Sequence, residues 1–343
     1  MMVKLATVKD RNQIDSYLEK IESSTLYHDF RWGKLIEKTF GHKNYYLLCE
    51  EDCGRICGVL PLVHIKSRIF GNLLVSMPFF NYGGVCADNT AYRDRLIEEA
   101  VKIAVELGAG HIEFRQVVPF DNGFPVKTHK VSMRLRLPGS TEELWKSFPS
   151  KLKSQIRRPQ KEAMSVRIDG IEEIESFYKA FSICMKNLGT PVYPKAFFRN
   201  IMEDFPESTW ICTVYLGDSP VASGFLAGFK KSLEIPWAAS IPVYNRFSPN
   251  MLLYWNCLKF ACEKGFTEFD FGRSTAGEGT YKFKAQWGAI PVPLNWYYWL
   301  RNSGTIPDLT NRNPKYRLAI ALWKKLPVSV TRILGPKIVK NIP

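Results

Sequence analysis

Three charged side chains able to move a proton or stabilise a transition state lie in one run, FDFGRSTAGEGTYKFKAQWG, at positions 269–288. Lys284 offers an ammonium that could neutralise a developing oxyanion, an effect worth about 3 kcal/mol where water is excluded. Asp270 is either a general base or the anchor of a buried hydrogen-bond network, and both interpretations stay open. Arg273 stands three positions after Asp270, so the two face opposite ways on a straight strand unless the chain turns at Gly272.

The four glycines of this run fit neither a P-loop nor a dinucleotide-binding motif, because neither spacing is present. They are Gly272, Gly277, Gly279 and Gly288. If TYKFKAQW is extended, Lys282 and Lys284 share one face of a strand. Two interpretations remain. The first is chemistry at the carboxyl end of strand EFDFG, beside a glycine-rich tip. The second is a surface hairpin with two solvated lysines.

The positions of the histidines limit the chemistry. All five, from His28 to His129, precede residue 130, so the second half supplies no histidine base of its own. Catalysis centred on residues 269–288 must therefore use Asp, Glu, Tyr, Lys or groups of the substrate. Acyl transfer to an amine suits that inventory, because it mainly requires positioning and charge stabilisation.

The formal charge of +14 is concentrated in two segments. Residues 145–167 carry seven basic residues against one acidic residue, and residues 301–343 carry nine against one. Anionic partners should meet these segments. Lys153, Arg157 and Arg158 form either a phosphate-binding helix start or a solvated linker. A non-catalytic protein that binds nucleic acid or an anionic membrane surface is the alternative function.

The chain repeats one order of elements. NYYLLCE and ICGVLPLVHI form a predicted hairpin, followed by helix YRDRLIEEAVKIAVELG and strand HIEFRQ. STWICTVYL and VASGFLAGF, helix SPNMLLYWNCLKFACEKG and strand TEFDFGR repeat this order, with Gly58 corresponding to Gly224. The repeat predicts two domains of mixed α/β (α+β) class, each a mixed sheet flanked by helices.

The boundaries follow from the breaks in these patterns. We predict an N-terminal domain at 1–145, a C-terminal domain at 146–300 and a basic helical tail at 301–343 that packs back on the protein. No segment is apolar for long enough to span a bilayer, which favours a cytoplasmic location with peripheral contact at the inner membrane left open. The cysteine spacing predicts reduced thiols and no metal site.

Residues 248–300 resemble the FemAB-like proteins of the PEP-CTERM/exosortase-associated type, and FKAQWG carries much of the likeness. More distantly they resemble the Fem peptidoglycan-bridge aminoacyltransferases and the GNAT superfamily. The segments YHDFRWGKLIEKTFGH, MPFFNYGGVCAD and KLKSQIRRPQKE extend the resemblance over most of the chain. It implies two tandem GNAT-like domains with the acceptor in a cleft between them. It also implies an acyltransferase that moves an acyl or aminoacyl group onto an amine of a cell-envelope or exopolysaccharide precursor.

The resemblance also implies roles for individual residues. Lys284 corresponds to the lysine thought to stabilise the oxyanion, and Lys34 and Arg158 to residues that grip an acceptor diphosphate. Tyr82, in the glycine turn of the first domain, is a candidate substrate-binding residue. Three aromatic residues have two open interpretations: they contact a sugar or acyl group, or they belong to the core. They are Trp237, Tyr254 and Tyr281.

The segment NRFSPNML at 245–252 departs from the family pattern, because it lacks both glycines of the coenzyme A signature. Arg246 and Asn250 could still hold an anion at this helix start. No cofactor is expected to stay bound, and acyl-CoA, acyl carrier protein and aminoacyl-tRNA all remain open as donors. The expected partner is an anionic small molecule such as a nucleotide- or lipid-linked sugar, and tRNA is left open.

Overall fold

This computed structural model describes residues 1–68, 70–302, 305–306 and 314–343. The chain divides into two compact units. Unit 1 comprises Met1–Val131, Val292–Asp308 and Lys340–Pro343, and unit 2 comprises Ser132–Pro291 and Leu309–Val339. The division falls before the predicted boundary at 145, and the strand after residue 291 returns to unit 1, so neither unit is one continuous segment.

Unit 1 contains a mixed sheet with helices packed on it. Its strands are β1 Met2–Leu5, β2 Lys43–Glu50, β3 Ile56–Ser67, β4 Gly71–Val75, β5 Cys86–Ala87 and β6 His111–Gln116. Its helices are α1 Arg11–Lys20, α2 Phe30–Phe40 and α3 Thr90–Glu106, with short 3-10 turns at Val8–Asp10 and Leu26–His28. Strand β7 Val126–Arg136 follows.

Unit 2 also consists of strands with helices packed on them, and it has more helices than unit 1 among the described residues. Its strands are β8 Met164–Asp169, β9 Thr209–Leu216, β10 Ser219–Phe229, β11 Ser232–Ser240 and β12 Glu268–Thr275. Its helices are α4 Thr141–Ser147, α5 Ser150–Gln160, α6 Ile174–Leu188, α7 Lys195–Asp204, α8 Pro249–Glu263 and α9 Gly279–Ala285, with 3-10 turns at Ile171–Glu173 and Pro242–Phe247. Strand β13 Ile290–Leu300 then leads back to unit 1.

The strands of the two units follow the same order, which is β1-β2-β3-β4-β6 in unit 1 and β8-β9-β10-β11-β12 in unit 2. In unit 1, β13 pairs with β6 beyond this set. β4 pairs with β6 in parallel, and β11 pairs with β12 in parallel. Both predicted hairpins, both helices and both following strands are present. The predicted repeat omitted the parallel strand before each helix, β4 in unit 1 and β11 in unit 2.

Gly58 and Gly224 lie where neighbouring side chains pack closely on the strands. A Cβ atom at Gly58 would lie 2.9 Å from Leu96 of α3, and one at Gly224 would lie 2.7 Å from Ile235 and 3.7 Å from Leu253 of α8. Both contacts with the first neighbour are shorter than carbon atoms tolerate. The correspondence between Gly58 and Gly224 therefore reflects close packing at equivalent places in the two sheets.

The C-terminal tail contains two helices, α10 Pro314–Trp323 and α11 Val328–Val339, which belong to unit 2. Gly335 packs on the backbone of Val192, since a Cβ there would lie 2.8 Å from the Val192 nitrogen. Arg332 Nε donates to Ser182 Oγ at 2.9 Å. The tail helices thus pack on the second unit, and residues 303–304 and 307–313 of the predicted tail lie outside the described residues.

The prediction that TYKFKAQW is extended is wrong, because residues 280–285 belong to helix α9. Lys284 and Trp287 are both buried, whereas Lys282 is exposed. The surface hairpin with two solvated lysines is excluded by the same observation.

Candidate active site

The parallel strands β11 and β12 separate at the carboxyl end of the unit 2 sheet. Their pairing ends at Glu234 and Asp270, although β11 continues to Ser240 and β12 continues to Thr275. Backbone groups beyond that point lose the partner that a neighbouring strand would provide. Crevices at the carboxyl ends of parallel strands are common places for ligands in α/β sheets.

Lys284 reaches from α9 to the separated part of β12. Its Nζ donates to the carbonyl oxygen of Gly272 at 2.9 Å and to that of Arg273 at 3.0 Å. An ammonium carries three donors. Among the described residues the third donor has no protein acceptor, so it can serve a negative atom brought by a ligand.

Burial and charge act in opposite directions on Lys284, whose side chain is only 8% exposed. Burial lowers the pKa of Lys284 to about 8, because a charged form is disfavoured away from water. The carboxylates of Asp270 and Glu234 oppose this change in pKa, and Arg273 adds to it. Lys284 is therefore mostly protonated at pH 7 and still close to losing its proton.

Asp270 is fully buried and held by several donors. Its Oδ1 accepts from Ser132 Oγ at 2.5 Å and from the backbone N–H of Gly272 at 2.7 Å. Arg134 Nε lies 3.3 Å from Oδ2. A carboxylate so occupied anchors β12 and places a negative charge near Lys284. This geometry favours the network interpretation of Asp270 over the general base.

Gly272 makes the turn that the sequence pattern required. Its φ of +74° lies in the left-handed region, which glycine adopts without strain. Arg273, the next residue, presents an exposed side chain while its carbonyl receives Lys284. Ser274 follows, buried, and its Oγ has no hydrogen-bond partner among the described residues.

Ser132, Arg134, Glu234 and Ser274 were not identified from the sequence. Ser132 and Arg134 lie two positions apart on β7, a strand that is distant in sequence from Asp270. Glu234 lies in SLEIPWAAS, where one acidic residue interrupts an apolar run, and it faces Asp270 in the strand register. That interruption was a usable signal, whereas the serines carried none.

Several predicted phosphate contacts lie near the start of α8. Arg158 Nη2 donates to the carbonyl oxygen of Arg246 at 3.0 Å, and both side chains are exposed. Asn250 Nδ2 donates to Ser240 Oγ at 3.2 Å, which joins the start of α8 to the end of β11. These residues put positive charge and backbone amides beside the separated strands.

Lys153 and Arg157 lie over the ring of Trp145, at 6.0 Å and 5.4 Å from its centroid. Trp145 in turn contacts Trp255 of α8, with 4.9 Å between the ring centroids. Cation–π contacts of this kind hold basic side chains on an aromatic surface. The basic connector therefore packs on unit 2 and is not a free linker.

The three predicted aromatic contacts have different environments. Trp237 is buried among Phe197, Phe198 and Phe225, which makes it part of the core of unit 2. Tyr254 stacks on Phe271 of β12 at 5.5 Å and is buried, and burial raises its pKa above the ordinary value. Tyr281 is half-buried on α9. Tyr254 and Tyr281 lie nearest in sequence or packing to the Lys284 region.

Two predicted binding residues belong to unit 1. Lys34 is exposed on α2, and its Nζ lies 3.2 Å from Glu37 Oε2. Tyr82 is buried, contacts Tyr27 with 5.3 Å between ring centroids, and lines a cavity of unit 1. The roles of Lys34 and Tyr82 toward a substrate stay predictions.

The strand of unit 1 that corresponds to β12 carries a different arrangement of charged residues. Aligning Gly108 with Gly265 places Glu113 opposite Asp270, and the β4–β6 pairing also ends at Glu113. Arg115, which aligns with Gly272, donates its Nε to Glu113 Oε1 at 2.6 Å and its Nη1 to the carbonyl of Phe80 at 2.7 Å. In unit 1 a cation of the strand itself thus pairs with the carboxylate that aligns with Asp270, whereas in unit 2 a lysine of a helix contacts the strand backbone.

Unit 2 thus combines two separating parallel strands with a buried lysine at the gap between them. Residues 146–285 match the family of acetyltransferase (GNAT) domains. The match covers about two fifths of the chain and lies within unit 2. The α/β fold agrees with the prediction of mixed sheets flanked by helices. No curated protein matches the chain.

Solved structures share the fold over nearly the whole chain. The chain is similar to FemX, with a TM-score of 0.68 and 16% identity over 93% of this chain and 100% of that one. It is similar to L-PGS from Bacillus licheniformis, with a TM-score of 0.56 and 13% identity over 95% and 97%. A tandem GNAT protein from the clavulanic acid biosynthesis pathway gives a TM-score of 0.53 and 9% identity over 89% and 99%.

Two further observations concern the described part of the chain alone. It contains no helix of the length and apolarity needed to cross a membrane. It also contains no group of three or more His, Cys, Asp or Glu side chains arranged to hold a metal ion.

The buried thiols of Cys49 and Cys57 lie with their sulfur atoms 3.6 Å apart.

Proposed function

We propose that this protein transfers an acyl or aminoacyl group onto the amine of an anionic cell-envelope or exopolysaccharide precursor, with the reaction at Lys284. The observation that carries the proposal is the buried ammonium at the gap between β11 and β12. Its hydrogen bonds to Gly272 and Arg273 fix it in place, and its third donor is available to a ligand. The matched GNAT domain includes Lys284.

The proposed step needs little from the protein beyond charge and position. The amine of the acceptor attacks the carbonyl carbon of the donor, a C–N bond forms, and the carbonyl oxygen becomes an oxyanion. Lys284 stabilises that charge as it forms. Collapse breaks the bond to the leaving thiolate or alkoxide, which takes up the proton that the attacking amine releases.

Asp270 supports this step as a positioning residue. Its carboxylate holds the N–H of Gly272 and raises the pKa of Lys284 by charge, so it keeps the ammonium protonated. Arg273 is exposed at the same turn and suits contact with an anionic part of the donor. A free base for the amine is not required when the acceptor amine enters deprotonated.

The donor stays open among acyl-CoA, acyl carrier protein and aminoacyl-tRNA. Enzymes with the GNAT fold use acyl-CoA, and the start of α8 with Arg158 and Arg246 offers positive charge for donor phosphates. This helix start differs from a glycine-rich one, because Ser248 has φ +59° and Pro249 contributes no N–H. A PEP-CTERM/exosortase setting and an acceptor bearing a diphosphate remain part of the proposal.

The experiment offers purified protein each donor class with an amine-bearing nucleotide sugar, and follows the acceptor by mass spectrometry. A mass gain equal to one acyl or aminoacyl group, present with wild type and lost with Lys284→Met, supports the proposal. Mass spectrometry of small molecules that copurify with the protein narrows the donors to test. Transfer at an unchanged rate by Lys284→Met contradicts the proposed site.

A peripheral membrane contact is a second part of the proposal and rests on the tail. Leu318, Leu322 and Ile333 are 71%, 56% and 65% exposed, and Lys324 and Lys325 are exposed beside them. Exposed leucines bordered by lysines fit the interface of an anionic bilayer. Such a contact would hold the enzyme near a lipid-linked acceptor.

A further inference from the structure

Helix α5 presents a face of unit 2 that carries only positive charge. The helix contains no Asp or Glu, and the next acidic residue along the chain is Glu162. Four cations of residues 150–161 are exposed, and their spacing places them within an arc of about 120° around the helix axis. We call these four residues the cationic surface, and they are Lys151, Arg157, Arg158 and Lys161.

The charge of the cationic surface is not neutralised within the protein. In the part of the chain that the structure describes, none of its four residues forms an ion pair with a carboxylate. By contrast, Arg95 and Lys102 of α3 each pair with a glutamate three residues away. Like charges four positions apart, as at Lys153 and Arg157, repel each other and destabilise a helix. An anionic partner would relieve that repulsion.

Contacts with neighbouring groups hold the arginines of this surface in place. Arg157 lies over the ring of Trp145, at 5.4 Å from its centroid, and Arg158 Nη2 donates to the carbonyl oxygen of Arg246 at 3.0 Å. Cations that are already positioned lose less side-chain entropy on binding than solvated ones do. Arg157 and Trp255 both contact the ring of Trp145, which disfavours the stacking of a nucleic-acid base on it.

An exposed apolar side chain lies beside the cationic surface. Val243 is 69% exposed and belongs to the 3-10 turn Pro242–Phe247, whose residue Arg246 contacts Arg158. Side chains three positions apart are eclipsed on a 3-10 helix, so Val243 and Arg246 point the same way. A protein partner can bury such a valine, whereas the phosphates of a nucleic acid offer it no apolar contact.

The 3-10 turn connects the cationic surface with the separated strands of the candidate active site. Ser240 is the last residue of β11, and its Oγ donates to Asn245 Oδ1 of the turn at 3.0 Å. The separated part of β11 therefore ends at the turn that Arg158 contacts. A donor protein bound to the cationic surface would lie beside the gap between β11 and β12.

We propose that the cationic surface binds an acyl carrier protein, a small acidic protein that holds its acyl group as a thioester on a flexible phosphopantetheine arm. This inference rests on the transfer reaction proposed above and narrows its donor. Acidic side chains of the carrier meet the four cations, and an apolar side chain of the carrier covers Val243. The thioester C–S bond breaks as the amide C–N bond forms, and the carrier leaves as a thiol with the proton that the attacking amine releases.

The test is isothermal titration calorimetry of the full chain with holo acyl carrier protein, whose arm ends in a free thiol. Wild type should bind it saturably, with an affinity that falls as salt is added. Lys151→Glu combined with Lys161→Glu should weaken binding by about tenfold or more, because two attractions become repulsions. Lys179→Glu reverses an exposed cation of α6 and should change the affinity by less than about twofold. Thermal unfolding verifies that each variant is folded.

Two further variants separate this inference from its rivals. Val243→Ser should weaken carrier binding by about threefold or more and leave the binding of tRNA unchanged, because only a protein partner buries the valine. Lys284→Met should bind the carrier as tightly as wild type does, so the binding signal does not depend on the transfer reaction.

An absence of saturable carrier binding would overturn the inference, as would equal weakening by the Lys179 variant and the double variant. Tighter binding of tRNA than of the carrier, reduced in the double variant and unchanged in Val243→Ser, would assign the surface to nucleic acid and overturn it as well. Transfer from acyl-CoA without any carrier binding would overturn this inference and leave the proposed function standing. Carrier binding with the expected pattern of variants, but without transfer from any donor, would support the binding surface and contradict the proposed reaction.

Discussion

Lys284 Nζ donates to the carbonyl oxygen of Gly272 at 2.9 Å, two residues beyond the point where β12 loses its pairing with β11. The lysine thus does two things with one group. It provides a partner for carbonyls that the neighbouring strand no longer reaches, and it holds a cation at the edge of the gap. This pairing of roles explains why a lysine is buried at this position.

Replacing Lys284 with Met should reduce turnover by about 100- to 1,000-fold, because the stabilisation of the oxyanion is lost. The measurement is kcat/KM for the donor identified by mass spectrometry. Lys282→Met is the matched control, since Lys282 lies on the same helix and is exposed. The control should retain turnover near wild type. Comparable losses in both variants would argue against a specific role for Lys284.

The pH dependence of the rate distinguishes an ammonium from a base. The pKa of Lys284 is lowered to about 8, so an enzyme that needs the protonated form should lose activity as the pH rises through about 8. Lys284→Arg stays protonated throughout and should show reduced activity without that decline. A rate that instead increases through pH 8 and depends on Lys284 would identify the lysine as a base.

The same pKa makes a prediction for stability. The folded-state pKa is about 8, below the ordinary 10.5, so between these values the unfolded chain binds more protons than the folded one. Stability attributable to Lys284 should therefore rise by up to about 3 kcal/mol as the pH increases from 8 to 10.5. The measurement is the difference in the free energy of unfolding between wild type and Lys284→Met across that range. A difference that does not change with pH contradicts the assignment.

Asp270→Asn keeps the shape of the side chain and removes its charge. Arg134 and Lys284 then lose a buried counter-charge, so unfolding should become easier by about 3–5 kcal/mol. The alkaline decline in rate should also move to lower pH, because Asp270 raises the pKa of Lys284. Urea denaturation measures the first effect. Asp218→Asn, in an exposed turn between β9 and β10, should show neither effect.

The tail is tested by flotation with vesicles that contain anionic lipid. Leu318→Asp should reduce the fraction bound several-fold, because it puts a negative charge on the surface proposed to enter the interface. Val105→Asp changes an exposed apolar residue of unit 1 and serves as the control. Equal binding by the Leu318 variant and wild type would remove the membrane from the proposal.

The sequence predicted the elements with strong periodicity. α3 and α8 show apolar residues at helical spacing, and β6 and β12 follow each helix after a glycine, Gly108 and Gly265, with φ near +70°. β11 was missed because Glu234 and Pro236 interrupt SLEIPWAAS, and the gap beyond Asp270 depends on pairing that no local pattern records. Periodicity reports which side of an element is buried and not which strand lies beside it.

The candidate site, like the fold, could be predicted from the sequence only in part. Lys284, Asp270 and Gly272 could be selected from their types and spacing, but the helical state of α9 could not. The glycines at 277 and 279 indicate a turn and the alternating TYKFK pattern favours a strand, whereas the structure has helix α9 there with Lys284 buried. Tertiary packing outweighed local preference here. Ser132 and Arg134 were missed because 138 residues separate Ser132 from Asp270.

Arg115 of unit 1 and Gly272 of unit 2 stand at aligned positions, and the positive charge beside each strand has a different source. In unit 1 Arg115 and Glu113 belong to the same strand and form a pair without net charge. In unit 2 the cation comes from a separate helix, so a rearrangement of α9 alone would withdraw it from β12. The second unit could therefore lose and regain its cation while its strands stay paired, a freedom that the first unit lacks.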